Sequence, residues 1–214
     1  MIKPLLLFCA VLFSLRSHAQ DGWKFKTEDD GIRVYTRVVP NSNFKAVKVN
    51  CELNATLSQL VAVIMDIKNS TNWAYHTKSA VILKQYSPAD LYYHCIVAVP
   101  WPVQNRDFIC HLIVKQNAQT KVVTIDAPCP ADYIPEKPGF VRVKQSVGKW
   151  ILTPINGGSK VKVDYTLSLD PGGNIPAWVI NLFAAEGPMH TFKGLKLQLN
   201  KPAYQHPEVP YITD

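Results

Sequence analysis

Asp170-Pro171-Gly172-Gly173-Asn174-Ile175-Pro176-Ala177-Trp178 opens the last long segment of the chain, which runs on to Leu199. The Pro-Gly-Gly run ends a strand. Asn174 is suited to cap a helix, and Pro176 falls in the first turn, where a missing N–H costs nothing. A long helix is therefore expected from there to Leu199. Trp178, Leu182, Ala185, Met189, Phe192, Leu195 and Leu199 recur at intervals of three and four and form one apolar stripe. Val179, Ile180 and Phe183 make the first half apolar on its other side as well, and Gly187-Pro188 marks a kink. Such a helix, arriving after a run of strands, needs a broad surface to lie on. A curved antiparallel sheet supplies one, and a deep curve leaves a cavity suited to an apolar ligand.

The segments before it supply that sheet. Ile32, Val34, Tyr35 and Val38 alternate with polar residues over 31–39, and Phe44, Ala46, Val47, Val49 and Cys51 do the same over 44–53, with Pro40-Asn41-Ser42-Asn43 as the turn between them. Thr56 and Gln59 have the spacing of a capping box, and Leu57, Leu60, Val61, Ile64 and Met65 share a helix face that ends near Lys68-Asn69. Strands are expected at 80–86, 92–99, 107–115, 122–125, 140–154 and 160–169, the last two joined by Asn156-Gly157-Gly158-Ser159. Two strands, a helix, about six strands and a long helix make an α+β domain: a curved antiparallel β-sheet wrapped around a long C-terminal α-helix.

The N-terminus reads as a leader. A basic start at Lys3 precedes an apolar run from Pro4 to Leu15, and Ser17 and Ala19 are the small residues before a cleavage site. That run is shorter than the ~20 residues needed to cross a bilayer. Residues 1–19 are thus expected to be a signal peptide, 20–204 a single domain, and 205–214 a C-terminal tail, with the product secreted or periplasmic. The formal net charge of +7 comes with no clustered basic run, which excludes the usual nucleic-acid footprint and leaves a weak attraction to anionic membranes.

Beyond the leader, Cys51, Cys95, Cys110 and Cys129 contain no C-x-x-C, which argues against a zinc ribbon or thioredoxin-type centre. Neither is there a Gly-x-Ser-x-Gly, a phosphate-binding glycine loop or a His-Glu-x-x-His, so a binder without metal or cofactor is expected rather than an enzyme; the alternatives are a cavity enzyme of cyclase or isomerase type acting on a small hydrophobic substrate and a partner-binding domain with a filled core. If the Tyr92–Val99 and Asp107–Lys115 strands turn symmetrically about Pro102-Val103, Cys95 faces Cys110 and His94 faces His111. Core packing of these residues outweighs a disulfide, and a metal site comes last.

Four motifs in order carry a resemblance. They are Asp30-Gly31-Ile32-Arg33-Val34-Tyr35-Thr36-Arg37; Asp66 followed by Trp73; Val99-Pro100-Trp101-Pro102-Val103-Gln104-Asn105-Arg106-Asp107-Phe108; and Asp170 to Pro176. Over about residues 22–200 the chain resembles the START family of lipid-transfer domains. The resemblance implies a helix-grip fold, an internal tunnel for one lipid or sterol, a lid formed by the terminal helix or nearby loops, and no metal or catalytic triad. Compact size and leader point to a bacterial, secreted member acting as a monomer. The ligand-binding residues expected on this basis are Arg106, Trp178, Leu182, Phe183 and Met189. Neighbours on a strand point apart, so Arg106 and Asp107 cannot both face the cavity; Arg106 either meets a polar ligand head or holds a loop through an ion pair. Trp101 and Trp150 are expected in core or loop packing, and Lys193 and Lys196 on a solvated face.

Overall fold

A computed structural model describes residues 22–39, 44–173, 175–176, 179–180 and 182–214. Residues 1–19, expected to be a leader, residues 40–43, expected to be a turn, Asn174 and Trp178 lie outside the described residues, as do the side chains of Leu182 and Ala185. The elements are β1 (Lys24–Asp29), β2 (Ile32–Val38), β3 (Lys45–Leu53), α1 (Leu57–Met65), β4 (Thr77–Ser87), β5 (Asp90–Val97), β6 (Arg106–Gln116), β7 (Val123–Pro128), β8 (Val141–Arg142), β9 (Gln145–Ile155), β10 (Lys160–Asp170) and α2 (Gly187–Leu199).

The strands form one sheet in the order β1-β2-β3-β10-β9-β7-β6-β5-β4, with β8 pairing against β6. Neighbours in that order are antiparallel and β8 is parallel. Three boundaries differ from expectation. The lead-in before Gly31 is itself a strand, β1, whose mostly exposed side chains give little alternation to detect. The segment 140–154 is broken: β8 leaves β9 and crosses to β6. The first helix stops at Asp66, where a 3-10 helix (Ile67–Asn72) takes over.

Local chemistry accounts for these breaks. Thr56 and Gln59 form the reciprocal capping box at the start of α1. Asp66 then accepts from the Asn69 N–H at 3.3 Å and from the Tyr204 hydroxyl at 3.0 Å, so one carboxylate ends the first helix, starts the second and ties both to the C-terminus. At the β9–β10 turn, Asn156, Gly157 and Gly158 all take positive φ, and the hairpin then pairs without a slip from Lys160↔Ile155 to Asp170↔Gln145.

The terminal helix changes its winding at the interruption the sequence marks. Pro188 has no N–H and its ring crowds the preceding turn, so Leu182–Glu186 widens into a π-helical turn before α2 begins. Met189, Phe192, Leu195 and Leu199 are buried in the core. Phe192 is fully enclosed, with its ring 5.3 Å from Trp150 and 5.7 Å from Tyr165. Gly194 lets α2 close on the loop after the 3-10 helix: a β-carbon there would lie 2.8 Å from the Trp73 carbonyl oxygen.

Contacts tie the C-terminal part of the chain to the rest of the domain. Lys196 pairs with Asp30 at 2.9 Å and Lys193 pairs with Asp29, so the two lysines latch α2 to the β1–β2 hairpin. Residues 205–214 lie against the domain: Ile212 is buried, and Gln116 exchanges hydrogen bonds with Thr213 at 2.7 and 2.8 Å.

Candidate functional site: a cavity between sheet and helix

Inside the curve of the sheet lies a cavity of about 310 Å³. The strand period of two decides which residues reach it. From β5 they are Tyr93, Cys95 and Val97; from β6, Arg106, Phe108, Cys110 and Leu112; from β9, Ser146, Gly148 and Trp150; from β10, Tyr165, Leu167 and Leu169. The terminal segment closes the cavity with Ile175, Val179, Ile180, Phe183, Ala184 and Thr191.

The helical residues in that wall are the side of the segment opposite the main stripe. Phe183 lines the cavity, whereas Met189 is buried in the core and is not in the wall. Trp178 and the side chain of Leu182 lie outside the described residues. The stripe from Met189 onward fills the core, which leaves Val179, Ile180 and Phe183 to face the open space.

Among the described residues, no aspartate, glutamate or histidine lines this cavity, and its charged residues are Lys45 and Arg106. Arg106 is 5 % exposed. Its Nε–H donates to the Pro171 carbonyl at 3.2 Å, one Nη2–H to the Gly172 carbonyl at 3.1 Å, and Nη1 to the Gln104 carbonyl. These bonds tie β6 to the Pro-Gly-Gly turn ahead of the terminal helix. Among the described residues no carboxylate pairs with Arg106, and burial lowers its pKa from the ordinary arginine value.

Asp107 points the other way, as the strand period requires. Its Oδ1 accepts from Arg142 Nε at 3.1 Å, and its Oδ2 from Arg142 Nη2 and His94 Nε2, both at 2.9 Å. Arg142 also donates to the carbonyls of Ala131, Ile134 and Pro135 at 2.6, 3.0 and 3.2 Å. One buried fork therefore holds β8 and the 130–135 loop over the back of β6. Burial alone would raise the Asp107 carboxyl. The bonds from Arg142 and His94 outweigh it and hold the group below the ordinary carboxylate range. The sequence singled out Arg106-Asp107 but not Arg142, which no local pattern marks.

The symmetric β5–β6 hairpin is corrected by two residues. Cys95 faces Phe108, His94 faces Ile109, Tyr93 faces Cys110 and Tyr92 faces His111. The turn is centred on Trp101-Pro102, one residue before the expected axis at Pro102-Val103, and moving the axis by one residue moves every facing pair by two. His111 bonds Asp90 at 2.7 Å and stacks on Tyr92, away from His94. Trp150 packs as expected, but Trp101 is 90 % exposed, on the same loop as the wall residue Val99 and just ahead of Arg106.

A family model, START domain, matches residues 9–203. The chain belongs to the START domain family. An uncharacterized protein of Pseudomonas aeruginosa is 32% identical over 201 residues, 94% of this chain and 98% of that one. The phosphatidylcholine transfer protein of Bos taurus is 32% identical over 180 residues, 77% of this chain and 78% of its own. Among solved structures, the STAR-related lipid transfer protein from Xanthomonas axonopodis matches with a TM-score of 0.77 at 30% identity, covering 85% of this chain and 100% of that one. The fold is the helix-grip arrangement of this family: a ten-stranded curved sheet around the terminal helix.

Proposed function

We propose that this START domain is a secreted or periplasmic carrier or sensor that holds one lipid- or sterol-like molecule, working as a monomer and without catalysis. The observation that carries the reading is the cavity itself, an apolar space with cationic residues and no acidic ones among its described lining. Each methylene moved from water into such a space gains about 0.8 kcal/mol, so a long hydrocarbon tail dominates the affinity. Arg106 is a buried cation without a carboxylate partner among the described residues, which favours a ligand whose polar end is a carboxylate or phosphate. The lipid-transfer names of the bovine and Xanthomonas relatives support the same class of cargo.

The reading as a binder rather than an enzyme rests on the wall. With no aspartate, glutamate or histidine among its described residues, it offers no ordinary pair for general acid–base work. Exposed Trp101 sits beside the cavity wall and has the amphipathic ring that settles at a membrane–water boundary. A brief membrane contact there would let cargo pass between bilayer and cavity without crossing water. The leader 1–19 supports an extracytoplasmic site of action.

The test is to purify the protein from its native compartment, extract it with organic solvent and identify the released molecules by mass spectrometry. One lipid per chain carrying a carboxylate or phosphate is the expected result. An extract that stays empty after incubation with total membrane lipids overturns the carrier reading. A bound lipid with no ionised group overturns the assignment to Arg106 alone.

A further inference from the structure

The cavity wall holds a pair of thiols that ligand binding does not require. Cys110 is on β6 and Cys129 follows the last residue of β7; both line the cavity. The β6–β7 pairing runs Gln116↔Val123, Lys115↔Thr124, Val114↔Ile125 and Ile113↔Asp126. Carried three residues further, the same register sets Cys110 opposite Cys129. The backbone of Cys129 remains part of the sheet, its N–H bonded to the Ser146 carbonyl at 3.0 Å. The two thiols are near enough to shift one another's ionisation, Cys129 downward and Cys110 upward. Directly opposed positions on antiparallel strands fall in the range of α-carbon separations, about 4.4–6.8 Å, that a disulfide can bridge.

We propose that Cys110 and Cys129 form a cross-strand disulfide in the cavity wall, made by reaction with a hydroperoxide small enough to enter the cavity. Cys129 is the attacking sulfur. The hydrogen bond from Cys110, helped by Ser146, lowers its pKa, whereas donating that bond, together with burial, raises Cys110. The Cys129 thiolate takes the terminal oxygen of the hydroperoxide and becomes a sulfenic acid, and the remaining alkoxide leaves with a proton as the alcohol. The sulfur of Cys110 then displaces the sulfenic hydroxyl, its own proton leaving with that hydroxyl as water. Two thiols and one hydroperoxide give one disulfide, one alcohol and one water.

The other cysteines are placed differently. Cys95 lines the cavity, but its side chain bonds Thr77 and burial pushes its thiol up to about 12. Cys51 lies in the core and is not in the wall, and burial likewise pushes it to about 12. Closing the bond brings the two sulfurs to about 2.05 Å and pulls the β6 and β7 walls together. The inference stands whether or not the cargo is the one proposed above.

The experiment treats the reduced chain from residue 20 onward, which carries four of the five cysteines, with one equivalent of hydrogen peroxide, alkylates it in denaturant and maps the peptides by mass spectrometry. The expected product has lost two hydrogens and contains a Cys110–Cys129 cross-linked peptide, while Cys51 and Cys95 remain alkylated. The Cys129→Ser chain should form no cross-link, and the Cys110→Ser chain should stop at a sulfenic acid on Cys129. All four thiols alkylated alike, a cross-link through Cys95, or oxidation of Cys129 to the sulfinic acid without a cross-link would each overturn the proposal. Because the wild-type chain gives the decisive reading, poor folding of a variant leaves the test intact.

Discussion

Arg106 and Asp107 are adjacent in the chain and serve opposite faces of β6: Arg106 reaches the cavity and bonds main-chain carbonyls, while Asp107 sits behind the strand in the fork of Arg142. The two charges therefore do separate jobs, and substitutions at them should separate as well.

Replacing Asp107 by asparagine leaves the buried Arg142 guanidinium without its counter-charge. Loss of one partner of a buried pair costs about 3–5 kcal/mol, and urea denaturation should report a loss near the lower figure because asparagine keeps one acceptor. Arg106→Met leaves three main-chain carbonyls without their donor and should also lower stability, but it alone should weaken binding of a fatty-acid probe about tenfold or more. Equal losses of binding in the two variants would contradict the division of roles.

The same pair sets the acid response. Asp107 has a folded-state pKa below its unfolded value, so its contribution to stability is fully present above the ordinary aspartate range near ~3.9 and is lost as pH falls through the folded value. Thermal unfolding followed from pH 6 down to pH 3 should show wild type losing stability more steeply below about pH 4 than Asp107→Asn. Parallel curves would place the acid sensitivity elsewhere.

Phe183 tests the helical side of the cavity. Phe183→Arg puts a charge into the apolar space beside Val179 and Ile180. Uptake of a fluorescent fatty acid should be abolished while the far-ultraviolet circular dichroism of the sheet is unchanged. Undiminished uptake would mean that this face does not line the binding space.

Gly194 tests how closely α2 lies on the loop below it. A β-carbon there falls 2.8 Å from the Trp73 carbonyl oxygen and 2.9 Å from its α-carbon, and main chain cannot swing aside as a side chain can. Gly194→Ala should therefore lower stability by roughly 1–3 kcal/mol despite the better helix propensity of alanine. A melting temperature equal to or above wild type would show that the helix has slack at this point.

The sequence by itself determined what depends on neighbours along the chain. Thr56 and Gln59 announced a helix start, Asn156-Gly157-Gly158 a tight hairpin, and Gly187-Pro188 an interruption of the terminal helix, because caps, positive φ and a missing N–H act within a few residues. The alternation along β6 was enough to send Arg106 and Asp107 to opposite faces. Tertiary structure decided the rest. It supplied Arg142, which the chain brings back from 35 positions away to meet Asp107, and a β5–β6 register centred on Trp101-Pro102 rather than on Pro102-Val103. It also brought Cys110 and Cys129 into one cavity wall, paired Lys193 and Lys196 with the first hairpin, and turned Val179 and Phe183 rather than Met189 toward the open space. Those pairings follow from where the sheet curves and which loop folds over it, and a period of two or 3.6 carries no information about partners that far apart.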